Sequence, residues 1–116
     1  MANERLIGQG ILAGNQRKVE MEFDFTEFDQ SYKGIFTFHH PTLQERMRIG
    51  VMKAQLLNGM DGKVDVITDN IAYMTAVLSI VIDNAPAWFK LNELYDYEIL
   101  NSVYEKYNEW VNSFRK

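Results

Sequence analysis

Val19, Met21, Phe23 and Phe25 alternate with Glu20, Glu22 and Asp24. A period of two sends successive side chains to opposite faces, so this stretch predicts a strand with one face in a core and the other in water. A mostly polar connection follows, interrupted by Phe28. Gly34, Phe36 and Phe38 then alternate with Ile35 and Thr37 as a second strand. Together they predict a β-hairpin over residues 19–38. A lone hairpin is marginal in water, so it must lie on helices or join another sheet.

Beyond Pro41 the period becomes helical. Thr42 and Glu45 have the capping-box spacing, in which a hydroxyl and a carboxylate satisfy open N–H groups at a helix start. Leu43, Met47, Val51, Ala54 and Leu57 form an apolar row over about residues 42–57; Ile49, Met52 and Leu56 form a second, partial one. Asn58-Gly59 stops this helix. A second helix is expected over about residues 65–85. Beyond its first turn it is apolar nearly all round, with a narrow mild strip of Thr68, Ala72, Thr75, Ser79 and Asp83. So little polar surface is normally buried by neighbours, which places this helix at the centre of the fold. Pro86 ends it by disfavouring helical geometry at Ala85.

Ala87-Trp88-Phe89 form a loop, and a third helix covers about residues 96–114. Ile99, Val103, Tyr107, Trp110 and Phe114 make one apolar row, and Leu100, Tyr104 and Val111 the next. Asn101, Ser102, Glu105, Lys106, Asn108, Glu109, Asn112 and Ser113 form the expected wet face. Arg115 and Lys116 sit at the C-terminal end, where cations suit the helix dipole. Residues 1–16 scatter Leu6, Ile7, Ile11 and Leu12 among Gly8, Gly10 and Gly14, which makes a regular element costly. This reads as a flexible N-terminal arm, either a loose terminus or a segment that docks on a neighbouring subunit. The expected architecture is α+β, mainly α: a short N-terminal β-hairpin packed on a three-helix domain, with residues 17–116 as a single domain behind the arm.

With 116 residues, 47% of them apolar, the chain suits one globular core. Cysteine is absent, which removes disulfides, thiolate nucleophiles and thiolate metal sites and fits a reducing cytoplasm. The net charge of −4 and the scattered basic residues argue against nucleic-acid binding. The longest uncharged apolar run, Ile71 to Ile82, is too short to span a bilayer. Met1 to Gln16 lacks the continuous apolar centre of a signal peptide. The expectation is a soluble protein, with no membrane association.

No constellation suggests catalysis. His39 and His40 are adjacent on a strand and point to opposite faces, so they do not converge on one metal. Asp61, Lys63 and Asp65 resemble the start of a calcium loop, but Ala72 stands where a bidentate Glu is required. Glu20, Glu22 and Asp24 fit a solvated strand face or a guard against edge pairing. Gly8-Gln9-Gly10 lacks the spacing and the strand–helix context of a phosphate loop, and no serine has a nucleophile-elbow context. The chain is therefore expected to be no enzyme, with no catalytic residues, cofactor or metal site.

The aromatic residues near the C-terminus are more informative. Trp88, Phe89, Tyr104, Tyr107, Trp110 and Phe114 either close the core or anchor a protein partner, since aromatics dominate both settings. So small a helical domain cannot easily bury two stripes of the first helix, most of the second and a broad stripe of the third. The surplus implies self-association or a protein partner, and these six aromatics are the candidate partner-binding residues.

Three stretches carry a family resemblance: Gly34-Ile35-Phe36-Thr37-Phe38-His39-His40-Pro41-Thr42, Asp83-Asn84-Ala85-Pro86-Ala87-Trp88-Phe89, and Leu94-Tyr95-Asp96 with Val103-Tyr104-Glu105-Lys106-Tyr107 and Trp110-Val111-Asn112-Ser113-Phe114. With the first two helices they resemble the small tail assembly chaperones of long-tailed bacteriophages and prophages, over about residues 33–114. The resemblance implies a protein of the host bacterial cytoplasm that binds the tape-measure protein or another tail protein. It would keep apolar helical segments from aggregating during tail assembly. Met47, Met52, Met60 and Met74 would suit such adaptable binding. The alternative is a small structural subunit of tail or head-tail connector that stays in the virion.

Overall fold

The computed structural model describes residues 6–12 and 17–114. The chain is α+β and mainly α. Its elements, in order, are β1 (Leu6–Leu12), β2 (Lys18–Asp24), β3 (Lys33–His39), α1 (Leu43–Leu56), α2 (Val66–Val81), β4 (Ile82–Asn84) and α3 (Tyr97–Asn112). They group into two compact units. One holds the described residues up to His40 and from Ile82 onward; the other is Pro41–Val81. The sequence reading of 17–116 as one domain does not separate these two units.

In the first unit the four strands form an antiparallel sheet in the order β1-β2-β3-β4. The expected hairpin is its central pair. Val19 lies opposite Phe38, Met21 opposite Phe36 and Phe23 opposite Gly34. Burial follows the alternation: Val19, Met21, Phe23, Phe36 and Phe38 are buried, and Glu20 and Glu22 are exposed. The aromatic rings interlock, with Phe23 edge-on to Phe36 at 5.1 Å and Phe38 against Tyr107 of α3 at 5.5 Å. Ile99, Leu100, Val103, Tyr107, Trp110 and Val111 complete this core from α3.

The sheet is larger than expected at both edges. The stretch read as a flexible arm contains β1, which pairs with β2 from Leu6↔Phe23 to Leu12↔Lys18, with an irregularity between Leu6 and Gly8. Its glycines cost entropy, but a neighbouring strand with free N–H and C=O groups outweighs that cost. The other expectations for residues 1–5 and 13–16, and for Arg115 and Lys116, lie outside the described residues. At the opposite edge the helix expected to reach residue 85 ends at Val81, and Ile82–Asn84 continues directly as a strand on β3, with Phe38 opposite Ile82 and Thr37 opposite Asn84. Pairing satisfies the backbone of β3, and Pro86 biases the chain toward extended geometry just beyond.

Gly34 has φ +155°, and a Cβ built there would lie 2.4 Å from Cγ of Pro86. The proline ring thus fills the side-chain space opposite Phe23.

In the second unit α1 and α2 pack as an antiparallel pair. Lys53, late in α1, bridges to Asp69, early in α2, at 3.0 Å, while Ile80, late in α2, lines a groove with residues of the first half of α1. The capping box forms as expected. The Glu45 N–H donates to the Thr42 hydroxyl at 3.2 Å, and the Thr42 N–H donates to the Glu45 carboxylate at 2.9 Å. Asp65 accepts from the Thr68 N–H at 2.7 Å, closing the open first turn of α2. Among the described residues no helix is long and apolar enough to cross a membrane.

Candidate protein interface

Three of the six aromatic residues expected to anchor a partner are committed to their own unit. Phe89, Tyr107 and Trp110 are buried, the last only 5% exposed. Trp88 is half-buried. Its indole N–H donates to the Lys33 carbonyl at 3.0 Å, and its ring stacks on Tyr32 at 4.5 Å. It also meets Phe25, Phe36 and Phe89 edge-on. Tyr104 is half-buried beside Tyr107. Of the six, Phe114 is the exposed one, and it is covered on two sides by His40 at 5.1 Å and the Arg17 guanidinium at 4.7 Å. These rings therefore hold the sheet, the Trp88 loop and α3 together.

The wet face expected on α3 is narrower than its sequence suggests. Ser102 and Lys106 are buried, and the Lys106 ammonium reaches the exposed Glu109 at 3.3 Å. A lysine stem can lie along apolar surface while its charge reaches water, which a polarity pattern does not reveal.

Surplus apolar surface lies on the second unit. Leu43, Met47 and Val51, the first three residues of the longer apolar row, are 80%, 67% and 59% exposed. Their spacing of four keeps them on one face of α1. Only Ile49 of α1 is buried. The expectation that α2 is central and buried beyond its first turn holds for Ala72, Met74, Ala76, Val77, Leu78, Ile80 and Val81, which are buried. It fails at Ile71 and Tyr73, which are exposed, as are Val66 and Ile67 in the first turn. Met47, Val51 and Met52 of α1 and Ile80 of α2 line an open groove of about 390 Å³, together with the polar side chains Gln44, Arg48 and Gln55. A second hollow, of about 590 Å³, lies beside Trp88, between Tyr32, Lys90 and the exposed Tyr95.

The polar candidates have local partners. The His39 Nδ1 lies 2.9 Å from a carboxylate oxygen of Asp83 on β4, whereas the His40 ring turns to Trp110 and Phe114. The pair thus points apart. Asp24 is held below the usual carboxylate range by the Thr26 hydroxyl, then by the Thr26 N–H. Asp29 is lowered by the Ser31 N–H and hydroxyl, and Asp65 by the Thr68 side chain and N–H. Each shift belongs to a turn or a helix start. Among the described residues no three ligating side chains gather into a metal site.

The sequence pattern contained the rows that make the apolar face, but not which row faces water. Comparison of the chain with protein-family models, curated proteins and solved structures finds no match in any of the three.

Proposed function

We propose that this chain is a non-enzymatic assembly chaperone of the phage-tail type, which binds an apolar helical segment of the tape-measure protein in the bacterial cytoplasm. The carrying observation is the exposed row Leu43, Met47 and Val51 on α1. Covering one such side chain fully is worth about 1.5–3 kcal/mol. Three together, at most about 4.5–9 kcal/mol, fall within the roughly 4–15 kcal/mol that association costs and leave little surplus for affinity. The client must therefore cover more than this row, which suits a long helical protein better than a short peptide. An apolar row at helical spacing beside a groove is the geometry that receives an amphipathic helix. Methionine at Met47 and Met52 lets that surface adapt to several segments of a client.

Co-expression with the long helical tail protein, followed by pull-down, tests this reading. A soluble complex is expected, together with absence of this chain from purified virions by mass spectrometry. Presence in the finished particle at a fixed copy number would instead identify a structural subunit of tail or connector. Failure to retain the tail protein in solution would refute the chaperone role.

A further inference from the structure

We propose that the α1 groove selects an acidic amphipathic helix of another protein, with its carboxylates flanking the apolar row. This rests on the reading of the chain as a helix-binding chaperone, and it adds the chemistry of the client.

The argument is one of charge placement. The chain carries a net charge of −4, yet α1 holds Arg46, Arg48 and Lys53 against the single carboxylate of Glu45. Glu45 is engaged in the capping box, and Lys53 is paired with Asp69. Arg46 and Arg48 are exposed and have no ion-pair partner among the described residues. At about 100° per residue, Leu43, Met47 and Val51 occupy one sector of α1, with Arg46 on one flank and Arg48 on the other. Arg48 also lines the groove. A partly apolar stripe between two unpaired guanidinium groups complements a helix with an apolar row and acidic shoulders.

The same placement argues against a second copy on this face. A two-fold pairing would bring the same patch of both copies together, and with it both sets of Arg46 and Arg48. Like charges brought together at an interface are repulsive.

The test uses the full chain and two labelled synthetic peptides of about 20 residues, long enough to form helix on binding. They share one apolar row at helical spacing. One carries Glu on both flanks, the other Lys. Fluorescence anisotropy at about 50 mM salt is expected to show the Glu peptide binding at least about tenfold more tightly, with the gap closing near 1 M salt. Val51→Asp is expected to abolish binding of the Glu peptide, and the double variant Arg46→Glu/Arg48→Glu to reverse the preference. All three positions are exposed, and an unchanged circular dichroism spectrum confirms that each variant folds.

Equal affinity for the two peptides would overturn the proposal, as would binding that ignores Val51→Asp. A dimer seen by sedimentation that Val51→Asp dissociates would also overturn it, since a second copy would then own the face. The two readings fail separately. If the tail protein is captured with or without Val51, the groove assignment falls and the chaperone role stands. If the peptides are discriminated but the tail protein is never bound, the chaperone role falls and the groove assignment stands.

Discussion

Replacing Gly34 with alanine is expected to destabilise the sheet unit by about 2–6 kcal/mol. Two costs add. A residue with a side chain at φ +155° leaves the regions open to L-amino acids, which costs about 1–3 kcal/mol. The new Cβ would also lie 2.4 Å from Cγ of Pro86, a contact that real structures do not tolerate. Forcing a methyl group into filled space costs typically about 1–3 kcal/mol. The second cost can be isolated. Pro86→Ala removes Cγ and leaves a Cβ at 3.1 Å, a distance that a small shift relieves. In that background Gly34→Ala should cost about 1–2 kcal/mol less than in the parent chain, while the backbone cost persists. Guanidinium unfolding of the four members of this cycle, followed by tryptophan fluorescence and circular dichroism, gives the coupling directly. Trp88 reports locally, because its indole N–H is bonded to the Lys33 carbonyl beside Gly34. Costs that add within about 0.5 kcal/mol would refute the claim that the proline ring is what excludes a side chain here.

Gly50 poses the opposite case. Nothing lies within 4 Å of a Cβ built there, and it sits in the middle of α1, so Gly50→Ala should stabilise by about 0.5–1 kcal/mol in thermal unfolding. The Thr37 hydroxyl is buried without a hydrogen-bond partner among the described residues, so Thr37→Val should leave stability unchanged or raise it by about 1 kcal/mol; a loss would mean that the hydroxyl has a use. Asp24, Asp29 and Asp65 are all lowered from an ordinary value of 3.8. Their contribution is therefore present above that value and is lost as pH falls through the lowered folded-state values. In Thr26→Ala the Asp24 titration followed by NMR should move back up toward the ordinary value. In hydrogen exchange of the free chain, α1 amides should open faster than those of α3, which buries eight residues where α1 buries one, and a bound client should slow α1 selectively.

The parts legible in the sequence are those where one local rule decides the outcome. Period-two alternation fixed β2 and β3 and their inward residues, because a register slip of one would turn Phe23 and Phe36 into water. Thr42 and Glu45 marked the start of α1 because the capping box is closed within four residues. The edges of the sheet were not legible. β1 carries too little apolar alternation among its glycines, and it becomes a strand through β2. β4 starts at Ile82, the last residue of the unbroken apolar run from Ile71, so no change in composition marks where the helix gives way to the strand. Trp110 and Tyr107 were read as possible anchors because composition does not distinguish a ring that closes a core from one that awaits a partner. In the structure both are buried, Tyr107 beside Phe38 and Trp110 beside His40.

The row Leu43, Met47 and Val51 shows why the candidate interface was half-legible. Periodicity reports that a helix has two unlike faces; it does not report which one meets water. On α1 the usual assignment is reversed. Ile49 is buried, Lys53 turns to Asp69, and Leu43, Met47 and Val51 of the longer apolar row are exposed, while Leu57 at its end is buried. Such a helix gains little from its own unit and relies on local devices: the Thr42–Glu45 capping box at its start and the Lys53–Asp69 bridge near its end. The capping box closes its first turn and the Lys53–Asp69 bridge ties its later turns to α2, and neither consumes the apolar row. A core helix would bury that row for stability and have nothing left to offer. A helix capped at its start and tied to α2 by Lys53 keeps Leu43, Met47 and Val51 free, and under the proposal above Arg46 and Arg48 decide which apolar helices it accepts.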